Sequence, residues 1–240
     1  MIAGDVRPEL RVEAPEDKNA LIHLLIRNGI DYDAKPWPAE FPNVVEVPGA
    51  PAMLAGMELA VRVGGARTVG FVLDADSPLS IRWDEVRTRL ASAAVAAPLL
   101  APAEGFIGQS GEYRTRVGVW LMPDNQEDGT LESLLHTLVE DHGPLIGHAE
   151  EATDRARHLG ARFPDADRLK ALLHTWLAWQ EEPGYPYGTA IRVRYFRHDS
   201  PAALAFVAWF RKLFGISRSG GQPRCHTWLP ATVCRQRRVT

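Results

Sequence analysis

The stretch VGFVLDADS, Val69 to Ser77, is nearly continuous in apolar residues until it meets two aspartates one residue apart. An uninterrupted apolar strand is what a parallel sheet covered on both faces demands, and its carboxyl end is where such sheets present ligands. The segments on either side keep to that scheme. Upstream, LRVEA (Leu10–Ala14) reads as a short strand and PEDKNALIHLLIRNG as a helix. Leu21, Leu24 and Leu25 fall at helical spacing in it, Pro15 and acids open its first turn, and Asn28-Gly29 closes it. NVVEV predicts a second strand, followed by a helix through Met53, Leu54, Met57 and Val61 that stops at Gly64-Gly65. Downstream, RWDEVRTRLASAA predicts a helix, EGFIGQSGEYRTR a short hairpin, VGVWLMPDN a further strand and TLESLLHTLVEDHG another helix. Strands alternating with helices define an α/β fold, a Rossmann-like parallel sheet flanked by helices.

After about Gly143 the pattern turns helical, through AEEATDRARHLGARF, ADRLKALLHTWLAWQEE and SPAALAFVAWFRKLFG. Ser200 is placed as an N-cap, Pro201 as the first helical residue and Gly215 as a C-cap. The organisation expected is an α/β domain over 1–143, a helical extension over 144–215 packed on it, and a basic tail over 216–240. Trp176, Trp179 and Trp209 sit among apolar residues at helical spacing, so they are expected in the core rather than as a platform for bases.

A chain of 240 residues that is 45% hydrophobic can bury a real core. No apolar run approaches the roughly 20 residues that cross a bilayer, and MIAGDVRPELRVEAPED has no charged-then-apolar leader pattern, so the cytoplasm is the expected compartment. Cys225 and Cys234 both fall in the tail, without Cys-x-x-Cys spacing, which argues against a disulfide framework or a zinc site. The net charge of −3 hides an asymmetry. Five arginines lie beyond residue 215 with no acid, leaving 22 basic against 30 acidic side chains in the body. Such an acidic body is no general nucleic-acid sleeve, but a carboxylate site for a divalent metal would add to that balance.

Three strands end in acid. Glu13 closes the first, with Asp17 entering the next helix; Asp74 and Asp76 close the third; Asp124 closes VGVWLMPD, with Glu132 in the following first turn. In an extended chain positions 74 and 76 project to the same side, so their charges need a compensating partner. Mg²⁺ or Mn²⁺, which take oxygen ligands, would keep all of these groups anionic. Singly, each has a plainer reading: Asp17, Asp124 or Asp128 as a turn or capping residue, Glu132 as a complement to a helix dipole.

VEAPED followed by VLDADS resembles the signature of the Toprim domain of topoisomerases, primases and OLD-type nucleases. The longer phrases RWDEVRTRL, VGVWLMPDNQEDGTLESLL, LHTWLAWQEEPGYPYGTAI and FVAWFRKLF resemble a standalone Toprim-like family of unknown function, over about residues 10–215. The resemblance implies a metal-dependent phosphodiester hydrolase acting on nucleic acid, of the kind that works beside an ATPase in prokaryotic defence systems. Asp74, Asp76 and Glu132, with Asp124, would hold Mg²⁺ or Mn²⁺ on a scissile phosphate, and Glu13 would be a further ligand or a general acid/base. The sequence departs from the motif at Ala14, where Toprim proteins carry glycine, and Pro15 follows. Lys18 and Arg116 are conceivable phosphate contacts. Two alternatives stand beside this one: a degenerate Toprim module that binds a partner ATPase or nucleic acid without cutting, and a haloacid-dehalogenase-type phosphatase, whose first motif FVLDADS also resembles.

Overall fold

The computed structural model describes residues 7–76, 78–140 and 143–217. Five strands, β1 (Glu9–Val12), β2 (Asn43–Glu46), β3 (Thr68–Asp74), β4 (Phe106–Gln109) and β5 (Arg116–Met122), form one sheet in the order β2-β1-β3-β5-β4. The first four in that order run parallel, and β4 is antiparallel to β5 at the edge. Helices α1 (Pro15–Arg27), α2 (Gly49–Arg62), α3 (Leu79–Ser92) and α4 (Leu131–His136) accompany the strands. The chain then continues through α5 (Pro144–His158), α6 (Arg168–Leu177), α7 (Tyr187–Arg192) and α8 (Pro201–Phe214). This is the α/β architecture with a helical C-terminal region that the sequence predicts.

The two-residue side-chain period of the strands divides the interior. Val69, Phe71 and Leu73 of β3 and Val117, Val119 and Leu121 of β5 meet α2 and α3 on one face. Leu10, Val12, Val72, Trp120 and Met122 meet α1, α4, α6, α7 and α8 on the other. Residues from the helical region therefore complete a core begun by the sheet.

The second face has a specific seat. Gly70 and Gly118 are partners in the β3–β5 register, and the missing side chains leave a trough for α8. A Cβ on Gly118 would lie 2.8 Å from Leu213 Cδ1 and 3.0 Å from Trp209 Cζ2; one on Gly70 would lie 2.8 Å from Leu10 Cδ1. Ser200 caps α8 by accepting from the Ala203 amide at 3.2 Å, and Gly215 ends it at φ 69°. Arg116 is taken up here: its Nε and Nη2 donate to the carbonyls of Leu213 and Lys212, so it fastens the end of α8. Lys18 pairs with Glu46 at 2.9 Å.

Four details depart from expectation. The hairpin does not close within EGFIGQSGEYRTR: β4 pairs with β5, the strand that VGVWLMPDN predicts, and the turn-rich residues 110–115 join the two. Helix α4 is six residues long, ending at His136. Helix α7 was not foreseen, since GYPYGTAIR is short and punctuated by glycine and proline. Trp176 and Trp209 are buried, but Trp179 is 40% exposed and stacks on His148. Among the described residues no helix is long and apolar enough to cross a membrane. The two cysteines and the tail beyond Ser217 lie outside the described residues.

Filling the trough should be costly. Gly118→Ala is expected to destabilise the chain by about 1–3 kcal/mol in urea unfolding, as overpacking does. In a Leu213→Ala background the same change should cost less, so the two substitutions will be non-additive.

Candidate functional site

At the carboxyl edge of the sheet a run of hydrogen bonds joins three elements. Asp74 ends β3, and its amide donates to Oε1 of Glu13, just beyond β1, at 3.0 Å. The Asp74 carboxylate accepts from the amide of Leu131, the first residue of α4, at 3.0 Å. Glu132, its side chain only 15% exposed, accepts from the Thr130 hydroxyl at 2.9 Å. Asp17 stands in the first turn of α1, which Pro15 starts by pre-setting its backbone angle.

These carboxylates act on one another. Burial, followed by the charges of Glu13, Asp17 and Glu132, pushes Asp74 up to about 8. Burial, then Glu13 and Glu132, pushes Asp17 up to about 7. Glu13 is also raised, chiefly by burial and further by the charge of Asp76, against the pull of Arg82 and of the Asp74 and Ala50 amides. A shared site of half-buried acids with raised proton affinity is what neighbouring like charges produce in a partly dry environment.

Asp76 is placed differently. The strand ends at Asp74, and Asp76 takes a left-handed φ of 55°. Its backbone makes an antiparallel bridge to Gly129, with N–O distances of 3.0 and 2.9 Å. That turn sends its carboxylate to the Arg82 guanidinium, so the two acids of the Asp-x-Asp pair do not project together. Arg82, 13% exposed, also donates to the Asp74 carbonyl at 3.0 Å and to Glu85 at 2.9 Å. Asp124 is occupied by its own turn, accepting from the amides of Gln126 and Glu127 at 3.0 and 2.9 Å. Asp128 accepts from the Leu79 amide at 2.7 Å and so caps α3.

Three neighbours escaped the sequence. Arg82 lies six residues past Asp76, a spacing that could have suggested it. Lys170 comes from α6: its ammonium stands 3.4 Å from Glu16 and 3.9 Å from Glu132, and although burial works against its charge, those acids hold its pKa above the ordinary value. Tyr187 of α7 is fully buried and stacked on His174 at 4.9 Å, and its hydroxyl has no hydrogen-bond partner among the described residues. Burial, then Glu132 and Glu16, raises its pKa. Contacts across such sequence separations leave no local signal.

In its chemistry the donor set fits a hard divalent cation: oxygen ligands only, mutually repelling, at the ligand rim of a parallel sheet. As the side chains stand, Glu13 and Asp74 are turned onto backbone amides and Glu132 onto the Thr130 hydroxyl, and among the described residues no group of three His, Cys, Asp or Glu is drawn together tightly enough to hold an ion.

Fold and site together define a parallel α/β protein with an acidic site at the sheet's carboxyl edge. The chain belongs to the family described as a protein of unknown function (DUF3226), which spans residues 7–215 and so takes in both the sheet and the helical region. No curated protein and no solved structure matches it.

Because Asp74 and Asp17 bind protons more tightly folded than unfolded, their contribution to stability is complete below about pH 4 and is lost as pH rises through 7 and 8. In EDTA, Asp74→Asn should therefore gain on the wild type between pH 5 and 8, by up to ~1.4 kcal/mol per pH unit. Urea titrations at a series of pH values check this; a difference that is flat with pH would show that Asp74 titrates normally.

Proposed function

We propose that the chain is a metal-dependent phosphodiester hydrolase of Toprim type that acts on nucleic acid. One observation carries the reading: Glu13 and Asp74, from adjacent parallel strands, are tied through the Asp74 amide and share their field with Asp17 and Glu132. The residue order, a glutamate after the first strand and an aspartate at the end of a later one, supports the Toprim and OLD-type relationship. Glu13, Asp17, Asp74 and Glu132 would hold Mg²⁺ or Mn²⁺, which would supply charge neutralisation at a phosphoryl oxygen and an acidified water.

The chain's own groups have separable duties. Glu13, with its raised proton affinity, is suited to holding or releasing a proton while the amides of Asp74 and Ala50 fix its carboxylate in place. Arg82 fixes Asp76 and the end of β3, and Lys170 balances Glu16 and Glu132 from the far side. Asp124 supports the loop after β5 through its turn. The setting expected of such a hydrolase is the cytoplasm, beside a partner ATPase.

A second reading has its own support. Asp76 already has a protein cation in Arg82, and Ala14 stands where the Toprim motif has glycine, both of which suit a degenerate module that binds a partner ATPase or nucleic acid without cutting.

Purified protein incubated with supercoiled DNA in Mg²⁺ or Mn²⁺ should nick it, and Asp74→Ala should lower the rate by at least ~10²-fold. Metal binding without nicking in the wild type would favour the non-catalytic module. Phosphatase activity on small esters through a trapped aspartyl phosphate would overturn both readings.

A further inference from the structure

Helices α1 and α7 run side by side in the same direction, and the two ends of the pair carry opposite charge. At the starting end, Glu16 of α1 lies by Tyr187 of α7, and Asp17 belongs to the carboxylate site. At the finishing end, Arg27 donates to the carbonyls of Ile191 and Phe196 at 2.9 and 3.2 Å, and its Nη2 lies 2.8 Å from His198 Nδ1. Arg211 of α8 donates to the Asn28 carbonyl there at 3.0 Å. Arg27 and Arg211 are thus spent on fastening helix ends.

The next segment is not. RVRYFRH, Arg192 to His198, holds three arginines and a histidine with no acid, in a body that is otherwise strongly acidic. Arg192, Arg194 and Arg197 are all exposed. Arg197 pairs with Asp199 at 3.1 Å, whereas Arg192 and Arg194 make no ion pair among the described residues. The acids facing this end are Asp199 and Asp33. The cations are crowded enough to disturb one another. Burial and Arg192 lower His23; burial, Arg27 and Arg194 lower His198; burial and Arg194 lower Arg27. Arg192 and Arg194 thus present exposed positive charge to which an incoming anion can bind.

The hydrolase reading names the anion as a nucleic-acid backbone, and the spacing gives its reach. Arg192 acts on His23 and Arg194 on Arg27, six and ten residues along α1 from Asp17, so the basic surface lies about 9–15 Å along the helix from the carboxylate site. One strand of duplex advances about 3.4 Å per phosphate, so the distance corresponds to about three to five phosphates. A single phosphate would reach one arginine, whereas a polymer backbone can reach the arginines and the carboxylate site together.

We propose that Arg192, Arg194 and Arg197, towards the finishing end of α1 and α7, form a docking surface for the sugar-phosphate backbone of nucleic acid, lying about three to five phosphates from the carboxylate site. This deepens the hydrolase reading and rests on it for the identity of the polymer. The surface gives register and affinity without base selection, as backbone contacts do.

The test measures binding separately from cutting. Fluorescence anisotropy of labelled oligonucleotides, single- and double-stranded, is followed in EDTA between 50 and 200 mM salt, alongside plasmid nicking in Mg²⁺. Two variants are used. Arg192→Gln removes a charge from an exposed position. Arg194→Gly removes one where the backbone sits at φ 73°, a conformation glycine adopts freely. Together they should weaken binding about tenfold or more and reduce the salt slope by about two. Arg194→Gly alone should weaken binding while raising Tm by ~2–4 °C, which separates lost contact from lost fold.

Unchanged affinity and salt slope in the double variant overturn the docking surface even if the wild type nicks DNA, and then the hydrolase reading stands alone. Binding through these arginines in a wild type that never nicks sustains the surface and removes the hydrolase reading. No binding of any oligonucleotide, or binding instead to vesicles of 30% phosphatidylserine in phosphatidylcholine through the same residues, overturns the proposal.

Discussion

The contact between Leu213 and the paired glycines Gly70 and Gly118 sets how closely the helical layer approaches the sheet. Everything on that face is built outward from it. Trp209, a turn before Leu213, reaches the edge strand and donates to the Phe106 carbonyl at 3.1 Å, while its ring meets those of Trp120 and Phe206. Arg116 closes the other end of the same helix. A second close approach repeats the device: a Cβ on Gly188 would lie 2.9 Å from the Asn19 backbone, so α7 lies directly on α1. The second of these close approaches determines where Tyr187 comes to rest relative to the acids of α1.

The acidic edge is the counterweight to that packing. Removing carboxylates from water is unfavourable unless each finds donors or a cation, and here the donors are mostly main-chain amides. Asp74 takes the Leu131 amide, Glu13 takes that of Asp74, and Asp124 and Asp128 take amides of their own or neighbouring turns. The amides hold the groups in place without offsetting their burial or their mutual repulsion, which is why Asp74 and Asp17 remain so readily protonated. The frame is complete as a structure and unbalanced as a charge distribution.

Much of this was legible in the residues. Continuous apolar strands, helical spacing of leucines, and the Ser200-Pro201 and Gly215 punctuation located most elements to within a few residues, because those signals are local. Glu13 and Asp74 were equally visible, since strand ends in a parallel sheet converge by topology. The joint projection of Asp74 and Asp76 was not, because it assumed an extended backbone, and the left-handed turn at Asp76 redirects the second acid to Arg82. Lys170 and Tyr187 were invisible for a different reason: they arrive through helix packing between segments with no shared pattern. The exposure of Trp179 belongs with them, since helical spacing says which residues share a face but not where that face stops being covered.

The bond from the Asp74 amide to Glu13 Oε1 also shapes how such a chain can drift over generations. A glutamine at position 13 presents the same oxygen to the same amide, and the codons of the two residues differ by one base. The scaffold can therefore outlive its chemistry: a lineage could lose the charge at the sheet edge in one step and keep the fold, its helical layer and whatever it binds. Charged and uncharged forms of this architecture would then be nearly superimposable, told apart only by one side chain.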